Sequence, residues 1–210
     1  MDADAASGIN IAALSKVLAL INGAVLMRYL KATAQDRGGN GLADTVILHF
    51  YESSPNGIDQ LCHEAVAVDM NADKAVDFQF AGDINFDGQS NVIDSYLLKA
   101  FANTFLQLHW FNRGESRQRT LVIAAIQDDQ ESPPSGVQLN FLDRRSPVRK
   151  ATLAYQAAGY DADGNGVLES FSRTDMDRNG VIDRADKALV SSMCRNFLAF
   201  KWYDQRVSGT

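Results

Sequence analysis

The chain of 210 residues contains an internal repeat, because a shift of 92 residues superposes its second half on its first half without a gap. Two tryptophans, two Ser-Pro pairs and two pairs of acidic loops coincide under this shift. The matched residues include Ser54-Pro55 with Ser146-Pro147, Leu61 with Leu153, Ala65 with Ala157, Asp69 with Asp161 and Trp110 with Trp202. Repeated sequence forms repeated structural units. We therefore predict two modules, residues 22–113 and 114–205, which can pack as one domain.

Each module is predicted to contain two strands, a helix, an acidic loop and a second helix. Residues 45–51 and 137–142, and residues 25–34 and 120–127, are apolar and rich in strand-forming residues. Residues 25–34 also fit a helix, and a strand is preferred because the second copy is clearer. Helices are predicted at 57–67 and 148–158, after the Ser-Pro pairs, and at the amphipathic segments 93–110 and 185–202.

Residues 1–21 lie outside the repeat and are predicted to contain a helix from 9 to 21. Ile11, Leu14, Leu18 and Ile21 recur at helical spacing. Such a helix packs either on the core of its own chain or on a neighbouring subunit, and both possibilities stay open. Lys16 interrupts the apolar stretch, so the segment is predicted to be neither a signal peptide nor a membrane span.

The acidic loop at residues 83–94 has oxygen-bearing side chains at positions 1, 3, 5, 9 and 12 and a glycine, Gly88, at position 6. This spacing wraps a short backbone around one hard cation, and the carbonyl of position 7 adds a ligand. The predicted ligands are Asp83, Asn85, Asp87, Gln89, Asn91 and Asp94. The same signature returns at residues 175–186, with Asp175, Asp177, Asn179, Val181, Asp183 and Asp186.

A partial loop lies 14 residues before each complete loop and lacks a carboxylate at position 12. The loop that begins at residue 161 is predicted to use Asp161, Asp163, Asn165, Val167 and Glu169. The loop that begins at residue 69 has Lys74 at position 6, and its predicted ligands are Asp69, Asn71, Asp73, Ala75 and Asp77. Two interpretations stay open: the partial loops bind a cation, or they form an array of Asx turns without an ion.

Calcium is the predicted cofactor, with two to four ions for the chain. All the ligands are oxygens, and a nearly complete protein cage suits calcium better than magnesium, which keeps its waters. Zinc or iron would need His or Cys beside the acids. Together with the predicted strands and helices, these loops give the predicted fold class. It is α+β, with two tandem copies of a ββ–α–calcium loop–α module preceded by an N-terminal helix.

The complete loops resemble the calcium loop of EF-hands, with Asp in place of Glu at position 12. The run from Asp83 to Lys99, which includes a helix after the loop, is similar to a dockerin repeat. That resemblance implies calcium binding and docking onto cohesin domains in extracellular enzyme assemblies. The two complete loops lie 92 residues apart in this chain, whereas dockerin repeats are packed closely together.

The formal net charge of −6 gives no basic footprint for nucleic acid. No catalytic constellation is preserved in the repeat, so the chain is predicted not to be an enzyme. We predict a calcium-stabilised structural or adhesive protein, extracellular or at the cell surface, that assembles with itself or with a protein partner. The alternatives are a dockerin-type binding module and a calcium sensor, although the few methionines lie mostly at the terminus or in loops and argue against a sensor groove.

Overall fold

The computed structural model describes residues 27–53, 58–112, 118–127, 133–144 and 150–203. The first half contains strands β1 (Met27–Gln35), β2 (Thr45–Ser53), β3 (Asp59–Val68) and β4 (Phe78–Phe80), helix α1 (Val92–Phe105) and a 3-10 turn at His109–Phe111. The second half contains β5 (Gln118–Ile126), β6 (Gly136–Arg144), β7 (Thr152–Tyr160), β8 (Ser170–Phe171) and helix α2 (Arg184–Ala199). The helix predicted at residues 9–21 lies outside the described residues.

All eight strands form one antiparallel sheet in the order β4-β3-β2-β1-β5-β6-β7-β8. Strands β1 and β5, the first strands of the two halves, pair with each other at the centre of the sheet, where Lys31 lies opposite Val122. Each half then extends outward from this pair to one edge of the sheet. The predicted α+β module is therefore wrong, because the fold is dominated by a sheet and each half contains four strands rather than two.

The helices predicted at 57–67 and 148–158 are wrong, because residues 59–67 and 152–158 belong to strands β3 and β7. The prediction relied on the Ser-Pro pair before each segment, because a proline near the start suits a first helical turn. A proline is also compatible with the first residue of a strand, so this signal fits both structures. The neighbouring strand decides the outcome, since β2 pairs with β3 along almost its full length, with Leu48 opposite Ala65.

The four predicted strands correspond to β1, β2, β5 and β6, and the two amphipathic segments form α1 and α2, so these predictions are confirmed. Strands β4 and β8 are short and were not predicted. Helices α1 and α2 end at Phe105 and Ala199, before the predicted ends, and both pack on one face of the sheet. Asn196 on α2 donates its amide hydrogen to the Ala100 carbonyl on α1 at 3.1 Å. Neither helix is long and apolar enough to cross a membrane. The largest fully buried side chains of this core are Phe50, Phe101, Phe105, Phe141, Phe197 and Phe200.

The two halves interlock through the tryptophan that follows each helix. Trp202, in the second half, packs edge-on against Phe50 of the first half, with ring centroids 5.7 Å apart. Trp110, in the first half, packs edge-on against Phe141 and Tyr155 of the second half, at 5.5 and 5.6 Å. Each half therefore completes its core with an aromatic side chain supplied by the other half.

Candidate metal centres

Both complete loops turn around the carboxylate of their first residue. In residues 175–186, Asp175 accepts hydrogen bonds from the Asn179 N–H at 3.1 Å and from the Gly180 N–H at 3.0 Å, one on each oxygen. Asp83 accepts from the Asp87 and Gly88 N–H groups in the same way, at 3.1 and 2.9 Å. A carboxylate has about four acceptor sites. Each of these carboxylates therefore keeps capacity for a cation while it shapes its loop.

The backbone conformation explains the glycine at position 6. Gly88 and Gly180 have φ angles of 86° and 90°, in the left-handed region that favours glycine. Position 4 also lies in this region, although it carries Phe86 in the first half and Arg178 in the second, with φ of 56° and 62°. A left-handed non-glycine residue costs about 1–2 kcal/mol. The loops hold this conformation through the hydrogen bonds to their first carboxylate.

The aspartates at position 12 connect the loops to the helices that follow. Asp186 is 1% exposed and accepts from the Met176 N–H at 2.6 Å and from the Asp183 N–H at 2.9 Å. It is also the acidic residue of the capping box at the start of α2. Burial opposes ionisation of Asp186, but the backbone donors outweigh it and hold the pKa of its carboxyl below the usual value. Asp94 is fully buried and occupies the same place at α1.

The residues at positions 7 and 9 have local partners of their own. The Val181 N–H donates to the Asn179 side chain at 2.7 Å, and the Gln89 N–H donates to Asp87 at 2.9 Å. The position 9 residues, Asn91 and Asp183, are the N-caps of α1 and α2. One oxygen of each accepts the first free N–H groups of its helix, so these side chains serve the helix as well as the loop.

Two groups of acids in the described part of the chain bring carboxylate oxygens within 4.8 Å of one another. One group is Asp175, Asp177 and Asp186, from positions 1, 3 and 12 of the second complete loop. The equivalent loop of the first half has Asn85 at position 3, so it contributes one carboxylate fewer there. The loop at 175–186 is therefore the most acidic candidate centre.

The second group is Asp161, Asp163 and Glu169, from the partial loop of the second half. Glu169 closes this loop from position 9, where it accepts the Ala162 N–H at 3.0 Å. Burial disfavours the charge on Asp161, but the Gly166, Gly164 and Asn165 N–H groups together outweigh it and hold the pKa of its carboxyl below the usual value. The structure therefore brings the three carboxylates of this loop together without a carboxylate at position 12.

The partial loop of the first half is less suited to a cation. Asp69 is 1% exposed and accepts from the Lys74 N–H at 2.6 Å, and Asp77 accepts from the Met70 N–H at 2.8 Å. Lys74 stands at position 6 with φ of 70°, and its ammonium lies 2.9 Å from His109 Nε2. The acids of this loop are not among the grouped carboxylates, and a cationic side chain belongs to the loop itself.

A fifth loop of the same form connects β1 to β2 and was not among the loops predicted from the sequence. Asp36 accepts from the Asn40 and Gly41 N–H groups at 3.1 and 2.7 Å, as the first residue of each other loop does. Asp44, at position 9, accepts from the Arg37 N–H at 3.1 Å. The spacing of Asp36, Asn40, Gly41 and Asp44 was the available signal. Position 3 is Gly38, so this loop has the backbone shape but fewer carboxylates.

No protein-family model, curated protein or solved structure matches this chain. The similarity to dockerin and EF-hand loops therefore stays a resemblance based on the spacing of the loop residues.

Proposed function

We propose that the chain binds calcium at residues 83–94 and 175–186, and that the partial loops raise the total to between two and four ions. The grouping of Asp175, Asp177 and Asp186 carries this proposal. Three carboxylates within 4.8 Å repel one another strongly, and no Lys or Arg of the described residues forms an ion pair with them. A divalent cation at the centre of the group relieves that repulsion.

The donor chemistry favours calcium over the transition metals. The grouped side chains supply oxygen only, and the histidines have other partners: His49 pairs with Glu64 at 2.8 Å, and His63 contacts the Ala81 carbonyl at 2.6 Å. Hard oxygen ligands in flexible, carboxylate-rich loops suit calcium. Extracellular calcium is abundant, and weak sites of extracellular modules stay filled there. This is the basis for proposing that the protein works outside the cytoplasm.

The ions are proposed to act as structural staples. The residue at position 2 of each complete loop, Ile84 or Met176, is fully buried in the core. Position 12 of each loop caps a helix that covers the sheet. Loss of an ion therefore disturbs the core and the start of a helix together, so we expect calcium binding and stability to be coupled.

Calcium titration with and without a chelator tests this proposal. We expect calcium at 100-fold over its dissociation constant to add about 2.7 kcal/mol of stability per site, measured as a higher melting temperature. Asp175→Asn combined with Asp177→Asn should remove part of that gain. Asp36→Asn, in the loop with fewer carboxylates, is the matched control and should leave the calcium-dependent part unchanged. A melting temperature equal in calcium and chelator would contradict the proposal.

Terbium luminescence separates the loops. The ring of Phe86, inside residues 83–94, lies 4.3 Å from the ring of Trp202, so Trp202 is placed to sensitise an ion in that loop. Trp202→Phe should abolish the part of the signal that Asp83→Asn abolishes. Calcium in excess should compete with terbium, whereas the same concentration of magnesium should compete weakly. Equal competition by the two cations would overturn the assignment of calcium.

Assembly with further copies of the chain is supported by the edges of the sheet. Among the described residues, β4 pairs only with Val66, Ala67 and Val68 at the outer side of β3, and β8 pairs only with Gly159 and Tyr160 of β7. Ser172 and Thr174 extend the cover of β7 through hydrogen bonds with Ala158 and Gln156. The remaining outer side of each strand presents backbone groups that another strand can pair with. Light scattering in calcium tests this, and a strictly monomeric particle at every concentration would contradict self-assembly.

Docking of a protein partner is the second candidate function. Val92, Ile93 and Tyr96, at the start of α1 beside the first complete loop, are 80%, 53% and 72% exposed. Exposed apolar side chains that cluster in this way mark interaction sites. Calcium-dependent capture of a cohesin domain, lost on Tyr96→Asp with Lys99→Ala as control, would support a dockerin-type function. Capture that is equal with and without calcium would exclude it.

A further inference from the structure

The first complete loop contacts a tryptophan that belongs to the second half of the chain. The ring of Phe86, at position 4, lies 4.3 Å from the ring of Trp202, measured between centroids, with 31° between the two planes. Phe86 also contacts Phe50, which packs edge-on against the same tryptophan. The indole of Trp202 is fixed in turn by its hydrogen bonds to two strand carbonyls. The position of Phe86, and with it the backbone of the loop, therefore depends on where Trp202 lies.

The second complete loop reaches the tryptophan of the first half through one intermediate ring. Arg178, the residue at position 4, has its guanidinium 4.7 Å from the centroid of the Tyr155 ring. Tyr155 stacks on Phe141, with centroids 4.1 Å apart, and packs edge-on against Trp110 at 5.6 Å. A cation above an aromatic face is attracted to it. Arg178 therefore links this loop to Trp110 by way of Tyr155.

The helices close these contacts into a ring. Helix α2 begins at the second loop, with Asp186 as the acidic residue of its capping box, and ends three residues before Trp202. Helix α1 begins at the first loop, with Asp94 in the same place, and ends five residues before Trp110. A change in either loop therefore acts on the helix that follows it, on the tryptophan after that helix, and on position 4 of the other loop.

We propose that the two complete loops are energetically coupled through this ring of contacts, so that a cation in one loop raises the affinity of the other. The inference rests on the calcium binding proposed above and adds the regulation of those sites. Ligands at positions 3 and 5 lie on either side of position 4, so a bound ion fixes its left-handed backbone. Holding the side chain at position 4 against its aromatic partner costs less entropy when that partner is already fixed. By linkage, each loop then raises the affinity of the other by the same factor.

Calcium titration followed by NMR reads the two loops separately in the full chain. The Gly88 and Gly180 N–H groups donate to the first carboxylate of their own loops, so their resonances report the two loops individually. Asp175→Asn with Asp177→Asn empties the second loop. We expect the calcium midpoint at Gly88 to rise about tenfold, since coupled sites typically change each other's affinity by about 5–150-fold. A midpoint at Gly88 that stays the same would overturn the proposal.

Two variants cut the ring without removing a ligand. Phe86→Leu removes the ring contact with the tryptophan, and Arg178→Gln removes the cation above the tyrosine. With both changes present, emptying the second loop should shift the Gly88 midpoint by no more than about twofold, the usual error of additivity. Phe80→Leu, the same change at an exposed strand position, is the matched control and should preserve the tenfold dependence.

Persistence of the coupling in these variants would contradict the ring. Repulsion between the charges of the two loops acts through space and would survive both changes, so a tenfold dependence that remains in the double variant would overturn the proposal. If the double variant fails to fold, Arg178→Gln alone decides, because Arg178 is exposed. It should lower the factor between the loops, and an unchanged factor would also overturn the proposal.

Failure of calcium binding itself gives a different result. If neither glycine resonance moves in calcium, the proposed function is wrong, and hydrogen exchange tests the coupling without an ion. The Ile84 N–H donates to Asp94 at 3.0 Å inside the first loop. Asp186→Asn weakens the start of α2 and should raise exchange at Ile84 several-fold, and Arg178→Gln with Phe86→Leu should remove that rise. Exchange at Ile84 that does not respond to Asp186→Asn would overturn the coupling.

Discussion

Trp202 offers the strongest test of how the two halves hold each other. Its ring is 3% exposed and lies 4.3 Å from Phe86 and 5.7 Å from Phe50, both in the first half. The Arg28 guanidinium, which also belongs to the first half, lies 4.5 Å from the centroid of the Trp202 ring. The indole N–H donates to the carbonyls of Tyr29 and Tyr51 at 3.2 and 3.3 Å.

The expected cost of Trp202→Ala follows from these contacts. Truncation of a buried Trp to Ala costs about 3–5 kcal/mol, and loss of the cation–π contact adds about 0.5–1 kcal/mol. We therefore expect a loss of about 3.5–6 kcal/mol, which lowers the melting temperature of a chain of this size by roughly 7–24 °C. Trp202→Phe keeps most of the packing and loses the N–H donor, so it should cost about 1–3 kcal/mol.

Urea unfolding in saturating calcium measures the free energy, and hydrogen exchange measures where the damage falls. Trp202→Ala should increase exchange first in β1 and β2, in the half that does not contain the mutation. Trp110→Ala is the matched control and should increase exchange first in β6 and β7. If Trp202→Ala loosened α2 and left β1 and β2 as protected as in the parent chain, the interlocking of the halves would be refuted.

Three further predictions concern the halves and the loops. Residues 22–113 expressed alone should show no cooperative thermal unfolding, because β1 loses its partner β5 and the core loses Trp202. Mixing this fragment with residues 114–205 should restore cooperative unfolding. Cooperative unfolding of the first fragment alone would contradict this prediction. Gly180→Ala should cost about 1–2 kcal/mol by urea unfolding because φ is 90° there, and Gly180→Asn should cost less, since Asn tolerates the left-handed region. The pKa of Asp186 is depressed in the folded state, so its ionised form contributes stability above the unfolded value of about 3.9 and loses it as the pH falls through the folded pKa. Asp186→Asn should therefore flatten the acid limb of the stability curve, and an unchanged acid limb would show that Asp186 does not supply that dependence.

The loops illustrate what local sequence determines. The first carboxylate, the glycine at position 6 and the aspartate at position 12 act within twelve residues, and the structure arranges each complete loop around them. Residues 83–94 and 175–186 were therefore recognisable as turns that precede a helix. The fifth loop, from Asp36 to Asp44, has the same backbone shape, but Gly38 at position 3 supplies no side-chain ligand, so its sequence does not show a complete ligand set.

Strands β3 and β7 illustrate what only the tertiary structure decided. The Ser-Pro pair before each segment fits the start of a helix or of a strand, so it could not select between the two, and the pairing of Leu48 with Ala65 selects the strand. The repeat predicted two modules, but the central pairing of β1 with β5 and the exchange of Trp110 and Trp202 depend on contacts between distant segments. Short-range hydrogen bonds are encoded in neighbouring residues, whereas the partner of a strand edge or an aromatic ring is set by which surfaces meet when the whole chain packs.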